Sequence, residues 1–489
     1  MDFSIENILL IGSVLLFISI VASKTTGRLG VPSLLLFLLV GMLAGSEGIG
    51  GIEFDNPEIA QALGVIALVF ILFSGGLDTT WNDVKPVRWH GLALSTVGVL
   101  ITASLVGILV SQLSDFSLLE GLLLGAIISS TDAAAVFSIM RSRNVGLKGN
   151  IRPLLEFESG SNDPMAYFLT ISFIQLLVNK EMTFLGLVPT FLLQMSIGAA
   201  AGLLMGKAMV WVMNKVKLNV DGLYSVLALA MILFTYSATH FIYGNGFLAV
   251  YLAALVMGRS NFIHKRSLTK HFDGQAWLLQ IIMFLALGLL VFPSKMLPVF
   301  GIGVLVSLFL IFIARPVAVF ISLAFFKVSF KEKALISWVG LRGSVPIIFA
   351  TFPLIAGIEK SEMIFNIVFF IVLTSVALQG TTLHLVAQWL GLYKQEEVKM
   401  KNPLKLTQSE DFRNEMTELT IPSNSMASGK AIMELEIPHS ILIVLIRRNG
   451  KYITPRGSTV IEAGDRLFVM TDDKDEIKGL NKYLCSSKV

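Results

Sequence analysis

The sequence predicts an all-α polytopic membrane protein that carries a small cytoplasmic α/β domain at its C-terminus. Of its 489 residues, 54% are hydrophobic and 15% are charged, and the mean hydropathy is +0.75. A soluble globular domain does not bury so large an apolar fraction. The apolar runs are unbroken over about 17–25 residues, which is the length of a transmembrane helix. A β-barrel would instead show short alternating segments.

Thirteen apolar runs are candidate spans. They lie near residues 7–23, 31–46, 58–75, 90–111, 118–140, 156–178, 183–205, 222–242, 246–258, 274–291, 297–325, 334–356 and 362–391. Asp2 and Glu6 precede the first run, where a cleaved signal peptide would carry basic residues, so we expect this span to be retained.

The charges between the runs predict the orientation of the protein. Connections after odd-numbered spans hold nearly all the lysines and arginines, whereas the alternate connections hold only Lys180, Lys295 and Lys360. Cytoplasmic loops carry the excess of basic residues in membrane proteins. The N-terminus is therefore predicted outside and the C-terminus in the cytoplasm, which agrees with an odd number of spans.

After the last span the composition becomes polar. We predict a transmembrane domain over 1–393, a linker over 394–413 and a small soluble module over 414–489. In the module we expect strands at Met416–Leu419, Ile441–Ile446 and Leu467–Met470. Helices are expected at Gly429–Leu435 and Asp475–Leu484, and a hairpin turn at Arg448–Lys451. So short a module has a modest core, so pairing with a second copy is expected.

Polar clusters enter three spans at similar depth. Ser129-Ser130-Thr131-Asp132 lies about two turns from the cytoplasmic end of span five, Asn162-Asp163 about two turns into span six, and Gly340 to Pro346 about two turns into span twelve. Charged groups at such depth are costly and face a bundle interior or a water-filled cavity. We therefore expect the three clusters to meet.

The same clusters predict broken helices. Gly340, Gly343 and Pro346 weaken a continuous helix, and the Ser-Ser-Thr-Asp run before Ala133 competes for backbone hydrogen bonds. Spans five and twelve run in opposite directions, as inverted repeats with paired broken helices require. A glycine packing face with a snorkelling Arg342 is the structural alternative.

A buried carboxylate that a proton and a cation can neutralise in turn can perform ion exchange. Burial disfavours the charged form of Asp163, so that either a proton or an alkali cation must neutralise it. Thr131, Ser159 and free carbonyls of span five would supply hard oxygen ligands to Na⁺ or K⁺. Asn162 beside Asp163 leaves one titrating site, which predicts electroneutral one-for-one exchange. Arg342 would neutralise another acid, most favourably Glu158, and Arg315-Pro316 in span eleven is also deep enough to pair with an acid.

These residues resemble the bacterial NhaP-type branch of the cation/proton antiporters, in particular the potassium/proton antiporters with a TrkA-C (RCK-C) tail. The resemblance covers essentially the whole chain and is sharpest at residues 130–137, 156–164, 246–251 and 340–343. It implies that Asp163 is the carboxylate for the transported monovalent cation. It also implies that Asn162, Ser159, Thr131 and Asp132 surround this carboxylate. Many relatives read Thr-Asp-Pro where this chain has Ala133, which leaves the extent of unwinding in span five open.

The resemblance carries further expectations. It implies an ion pair between Glu158 and Arg342, a homodimer in a bacterial inner membrane, and contact with membrane lipid. In the tail, Arg447, Pro455, Gly464 and Asp465 are similar to the RCK-C pattern, whose members bind small cytoplasmic ligands, often nucleotides, at a two-fold interface. The tail favours K⁺ over Na⁺ by analogy.

Three alternatives remain open at this stage. A Na⁺/H⁺ antiporter of the same fold would differ only in the size of the ion cavity or the number of its oxygen ligands. An RCK-regulated potassium channel would use Thr96-Val97-Gly98-Val99 as a selectivity filter. An organic-anion transporter would use Arg342 as a substrate clamp. An enzyme is not indicated, because no nucleophile–base pair or metal-ligand spacing stands out, and no cofactor or nucleic-acid partner is expected.

Overall fold

The computed structural model describes residues 5–29, 33–142, 145–179, 181–395, 416–422, 425–435, 437–438, 441–448 and 451–470. The chain forms two compact units, Met1–Val398 and Lys399–Val489. The first unit is helical, and the described part of the second is a small sheet. The predicted helix at 475–484, the residues 449–450 of the predicted hairpin turn and most of the predicted linker lie outside the described residues.

The helices of the first unit follow the predicted apolar runs. In chain order they are α1 Ile5–Leu29, α2 Ser33–Ala44, α3 Pro57–Asp78, α4 Arg88–Leu113, α5 Leu118–Ile127, α6 Ala133–Ser142, α7 Ile151–Val178, α8 Phe184–Lys215, α9 Asp221–Phe241, α10 Gly246–Arg259, α11 Lys265–Leu289, α12 Phe300–Ser322, α13 Phe330–Trp338, α14 Ser344–Ile355 and α15 Ser361–Trp389. One-turn helices at Trp81–Val84 and Pro293–Met296 lie in the connections.

Length and composition make most of these helices suitable membrane spans. Among the described residues, eight are long and apolar enough to cross a membrane, and α2, α5, α10 and α14 are shorter apolar helices. Local sequence explains where several of them begin. Asn56 caps α3 through the Ile59 N–H, and Ser117 and Ser329 begin α5 and α13 with reciprocal capping boxes to Glu120 and Glu332.

Two predicted spans are interrupted in the middle, as expected. We call residues 128–132, between α5 and α6, the first break, and residues 339–343, between α13 and α14, the second break. Gly340 and Gly343 lie in the second break. Ala133 and Pro346, by contrast, lie in the first turns of α6 and α14. A proline is tolerated there because the first N–H groups of a helix have no intrahelical acceptor.

The helices of this unit pack in two groups. The core bundle comprises α4–α7 and α12–α15, and the companion bundle comprises α1–α3 and α8–α11. The groups meet where α3 packs on α14 and α10 packs on α7. Three helices of the core bundle, α4, α12 and α15, contain a π-helical turn, at Leu94–Gly98, Leu310–Ala314 and Val376–Gly380. Such turns are frequent at functional sites.

The channel alternative is not supported by the local fold. Thr96 to Val99 lie within the continuous helix α4 and do not form a loop. A potassium filter needs backbone carbonyls that point into a pore, whereas helical carbonyls bond along the helix axis.

A short antiparallel ribbon joins the ends of two core helices. Strand β1, Val145–Leu147, follows α6, and strand β2, Tyr393–Gln395, follows α15. The two strands pair in antiparallel register.

The described part of the second unit is an antiparallel sheet. Its strands are β3 Met416–Thr420, β4 Leu442–Arg448, β5 Lys451–Ile453 and β6 Arg466–Met470, in the order β3-β6-β4-β5. The three expected strands are present. The expected helix at 429–435 is a single 3₁₀ turn, Ile432–Glu434. Ile446, Ile461 and Leu467 form the buried core of the sheet.

Candidate functional site

The two breaks meet inside the core bundle and bond to each other. The backbone N–H of Asp132 donates to the carbonyl of Leu341 at 2.8 Å. Gly343 lies so close to Asp132 that an added Cβ would be 2.0 Å from the carboxylate Oδ2. Only glycine fits at this position without a shift of its neighbours. The expected meeting of the clusters from spans five and twelve is therefore present in the structure.

Arg342 satisfies carbonyls that the first break leaves without helical partners. Its Nη1 donates to the carbonyl oxygens of Ser129 and Ser130, at 2.8 and 2.7 Å. Its side chain is 1% exposed, so these charge-assisted bonds are shielded from water. The last carbonyls of a helix have no intrahelical donor, and here a guanidinium from the second break replaces that donor.

A hydrogen-bond chain holds the backbone around Arg342. The Arg342 N–H donates to Ser375 Oγ at 3.0 Å, and Ser375 Oγ donates to Gln379 Oε1 at 2.6 Å. Gln379 Nε2 then donates to the carbonyl of Trp338 at 2.9 Å, at the end of α13. Helix α15 thus supports both ends of the second break.

Asp163 lies opposite the first break on α7. Its Oδ1 accepts a short hydrogen bond from Ser130 Oγ, and its side chain is buried. Sequence reasoning named Ser130 in the polar run but did not place it beside Asp163. The serine hydroxyl can donate to the carboxylate, but the negative charge of Asp163 still needs a proton or a cation to neutralise it.

Three further predicted residues bond to one another beside the first break. Asn162 Nδ2 donates to Thr131 Oγ1 at 2.6 Å, and Ser159 Oγ donates to the Thr131 carbonyl at 2.9 Å. The N–H of Ala133 donates back to Ser159 Oγ at 3.2 Å. The amide oxygen of Asn162 is buried and has no partner among the described residues. The site therefore offers several hard oxygen atoms within one small region.

Asp132 is both a helix cap and a neighbour of the site. Its Oδ1 accepts the N–H of Ala135 at 2.9 Å, at the start of α6. This bond satisfies one of the free donors at the helix N-terminus, and the negative charge there is favourable.

The expected ion pair of Glu158 with Arg342 is wrong. Glu158 Oε1 lies 2.6 Å from Arg315 Nη1, and both side chains are almost fully buried. Arg342 instead donates from Nη1 to the carbonyls of the first break. Arg315 follows the π-helical turn of α12, where Pro316 removes a backbone donor. Sequence reasoning had named Arg315 only as able to pair with some acid.

A cavity of about 460 Å³ connects this region to one end of the bundle. Asp132, Ser159 and Asp163 line its inner part. Asp78, at the end of α3, and Glu156, near the start of α7, line its outer part. Both positions belong to the side that the charge pattern predicts to be cytoplasmic. A cavity lined by several acids attracts cations. Among the described residues, no group of three or more His, Cys, Asp or Glu side chains could hold a metal ion.

In the tail, Asp465 is engaged within the chain. Arg448 makes a two-pronged contact to it, from Nε to Oδ1 at 2.9 Å and from Nη2 to Oδ2 at 2.8 Å. Asp465 is fully buried, and its hydrogen bond raises the pKa of the Arg448 guanidinium. Gly464 precedes it with a φ of +84°, a conformation that favours glycine. Arg447 and Pro455 lie on the described part of the sheet and its following loop.

Comparison with known proteins identifies the family of the first unit. The family model of the sodium/hydrogen exchanger transmembrane domain matches residues 13–389. The chain belongs to the sodium/hydrogen exchanger family. This exchanger also carries a TrkA-C domain, matched over residues 416–482. It is thus a multi-pass membrane protein of a transporter family, and the resemblance to NhaP-type antiporters with a TrkA-C tail is confirmed.

Individual relatives agree with this assignment. The exchanger is 40% identical over 466 residues to the K(+)/H(+) antiporter NhaP of Alkalimonas amylolytica, covering 95% of this chain and 81% of that protein. It is 29% identical over 398 residues to the Na(+)/H(+) antiporter NhaH of Halobacillus aidingensis, covering 77% of this chain and 96% of that protein. The solved structure of the sodium proton antiporter MjNhaP1 from Methanocaldococcus jannaschii at pH 8 is similar with a TM-score of 0.69 and 25% identity. That similarity covers 79% of this chain and 99% of the other.

Proposed function

We propose that this exchanger is an electroneutral K⁺/H⁺ antiporter that exchanges one cation for one proton at Asp163. The observation that carries the proposal is the buried Asp163 carboxylate, bonded to Ser130 and open to a cavity lined by acids. A carboxylate in such a place is stable with a proton or with a cation, but not with neither. Competition between the two ions at one site is sufficient for coupled exchange.

The buried charges support a one-for-one stoichiometry. Three carboxylates of the core bundle, Glu158, Asp132 and Asp163, lie near the two buried arginines Arg315 and Arg342. With all five groups ionised, one negative charge is left over. One proton or one monovalent cation neutralises this charge. The proton-loaded and the cation-loaded site therefore carry the same net charge.

The cation ligands follow from the oxygen atoms around Asp163. We assign Asp163, the Asn162 amide oxygen, Ser159, Thr131 and Asp132 to the site. The amide oxygen without a partner and the carboxylate are the hard ligands that alkali cations prefer. The K⁺ assignment rests on the relatives of about 40% identity from Alkalimonas amylolytica and Shewanella baltica, both named K(+)/H(+) antiporters.

The remaining topology is part of the same proposal. We place thirteen spans in the membrane as inverted repeats, with the N-terminus outside, the C-terminus in the cytoplasm and domain limits at 1–393, 394–413 and 414–489. Helix α8 leaves most of its apolar residues unburied, so that lipid or a second copy of the chain can cover it. The tail would bind a small cytoplasmic ligand near Arg447, Pro455 and Gly464, whereas Asp465 serves the internal contact with Arg448.

The test is proton movement in proteoliposomes that contain the purified protein and a pH-sensitive dye. K⁺, Na⁺ and Li⁺ are added in turn, with and without a clamped membrane potential. We expect cation-dependent dye recovery that survives the clamp and is strongest with K⁺. A signal that vanishes under the clamp contradicts electroneutral exchange, and a stronger response to Na⁺ favours the Na⁺/H⁺ alternative.

Asp163→Asn tests the site assignment in the same assay. The amide keeps the size of the side chain but cannot exchange a proton for a cation, so we expect exchange to be abolished in a folded protein. Asp55→Asn, at an exposed position in the connection before α3, is the matched control and should exchange normally. Exchange retained by Asp163→Asn would refute the assignment.

A further inference from the structure

We propose that Tyr251 is a specificity-determining residue whose hydroxyl binds the transported cation from the companion bundle. This inference rests on the function proposed above and deepens it. All the ligands assigned so far belong to the core bundle, on α7 and around the first break. Tyr251 lies on α10 and lines the same cavity as Asp163, Ser159 and Thr131.

The tyrosine ring packs directly on the helix that carries Asp163. An added Cβ at Gly160 would lie 2.3 Å from two ring carbons of Tyr251 and 2.8 Å from its hydroxyl oxygen. The ring thus occupies the space that a side chain at position 160 would need. Residues 160 and 163 share one face of α7, because positions three apart are neighbours on a helix. The hydroxyl therefore lies on the face of α7 that carries Asp163.

The hydroxyl has no other evident partner. Tyr251 is 2% exposed, and its oxygen is buried without a hydrogen-bond partner among the described residues. Buried tyrosine hydroxyls normally find a partner, so an unpaired one at the wall of an ion-binding cavity indicates a bound species.

The adjacent backbone offers a carbonyl that lacks its usual helical donor. Pro164 lies inside α7 and has no N–H, so the carbonyl of Gly160 receives no helical hydrogen bond from that position. A carbonyl and a phenol oxygen on neighbouring positions are neutral hard ligands. Together with the Asp163 carboxylate they suit a dehydrated monovalent cation and add no charge that would alter the stoichiometry.

A ligand from the opposite bundle has a functional consequence. The core ligands stay together if the core bundle moves as a unit, whereas the distance to Tyr251 depends on how the two bundles are placed. Tyr251 would therefore raise the affinity for the cation in the arrangement in which the cavity is open toward Asp78 and Glu156. Ions of different size would gain from this contact to different degrees.

The experiment compares Tyr251→Phe with wild type and with Tyr236→Phe. Phenylalanine keeps the ring against Gly160 and removes only the oxygen. Tyr236 lies on α9 in the companion bundle, packs on Phe247 and is not among the residues that line the cavity. The apparent KM and maximal rate are measured in proteoliposomes for K⁺, Rb⁺ and Na⁺, and K⁺ binding to the purified proteins is measured by calorimetry.

We expect Tyr251→Phe to raise the KM for K⁺ about fivefold to tenfold, as for loss of one ordinary hydrogen-bonding contact. The maximal rate should change by less than about twofold, and the ratio of K⁺ to Na⁺ affinity should shift. Tyr236→Phe should match wild type.

Two results would overturn the inference. One is an unchanged KM and unchanged K⁺ binding in Tyr251→Phe, and the other is a lowered maximal rate with unchanged KM, which a structural role would give. Neither result affects the proposed function. That function fails separately, if wild-type protein exchanges no cation for protons or if Asp163→Asn remains active.

Discussion

The first and second breaks are similar in length but supply different chemistry. Each is five residues long and interrupts a helix of the core bundle. The first break supplies side chains to the proposed ion site, Ser130 to Asp163 and Thr131 to Asn162. The second supplies two glycines, a backbone carbonyl and the guanidinium of Arg342. In the proposed mechanism, one break therefore forms the site, and the other positions it and balances its charge.

The difference shows how hydrogen-bond donors and acceptors, and groups of opposite charge, can share a buried region. The open carbonyls of the first break need donors, and Arg342 provides them. The second break in turn is bordered by Arg315, whose side chain lies against Gly340 and pairs with Glu158. Each of these buried groups thus lies beside a group of opposite charge or polarity. Mutations in and beside each break separate the contributions of the two breaks to stability and exchange.

The largest effect is expected at the ion pair beside the second break. Arg315→Ala or Glu158→Ala leaves an uncompensated buried charge, which costs about 3–5 kcal/mol. The double replacement should cost clearly less than the sum of the two, because no charge remains unpaired. The free energy of unfolding is measured by SDS denaturation in mixed micelles.

The matched control for this cycle is the pair Arg152–Glu156 on α7. Its side chains are 44% and 30% exposed, so its coupling should be below about 1 kcal/mol. Strictly additive losses for Arg315 and Glu158 would contradict the buried pair.

A smaller loss is expected when Arg342 is replaced. Arg342→Gln replaces the charged donor to the carbonyls of Ser129 and Ser130 by a neutral amide, and we expect a total loss of about 1.5–3 kcal/mol, because a charged donor contributes more than a neutral one. In a cycle with Glu158→Ala, the coupling should be weaker than that of Arg315, because no direct contact joins the two described side chains. A stronger coupling to Arg342 would restore the pairing that the sequence suggested.

The glycines of the second break should differ from each other. An added Cβ at Gly343 would meet the Asp132 carboxylate at 2.0 Å, and one at Gly340 would meet Arg315 Nε at the longer distance of 2.6 Å. Overpacking costs about 1–3 kcal/mol. Gly343→Ala should therefore lower both stability and K⁺/H⁺ exchange, whereas Gly340→Ala should lose less of each. Melting in detergent and the dye assay give both values, and equal effects would contradict the proposed contact.

The smallest effect is expected at Ala133, the first residue of α6. Proline is well suited to the first position of a helix, but it would remove the hydrogen bond from the Ala133 N–H to Ser159. The gain and the loss are both of order 1 kcal/mol, so Ala133→Pro should change stability by less than about 1 kcal/mol. A change in the KM for K⁺ without a change in melting would show that Ser159 had moved.

Much of the fold could be predicted because it depends on local chemistry. Apolar runs of membrane length predicted the helices, and glycines together with the Ser-Ser-Thr-Asp run predicted both breaks, since each weakens helical hydrogen bonding where it occurs. Ser130 beside Asp163 was not predicted, although it belongs to that polar run. Which of four adjacent residues faces a second helix depends on the path of the unwound chain, and periodicity does not describe that path.

The sequence by itself determined the class of the protein, the positions of the breaks and the set of buried charges, because burial energy and backbone hydrogen bonding act within short segments. Only the tertiary structure decided which charges pair. An arginine side chain can reach acids on several helices, and packing places Arg315 rather than Arg342 against Glu158, while Arg342 donates to the open carbonyls of the first break. Likewise, only packing between the two bundles brings Tyr251 to the face of Gly160.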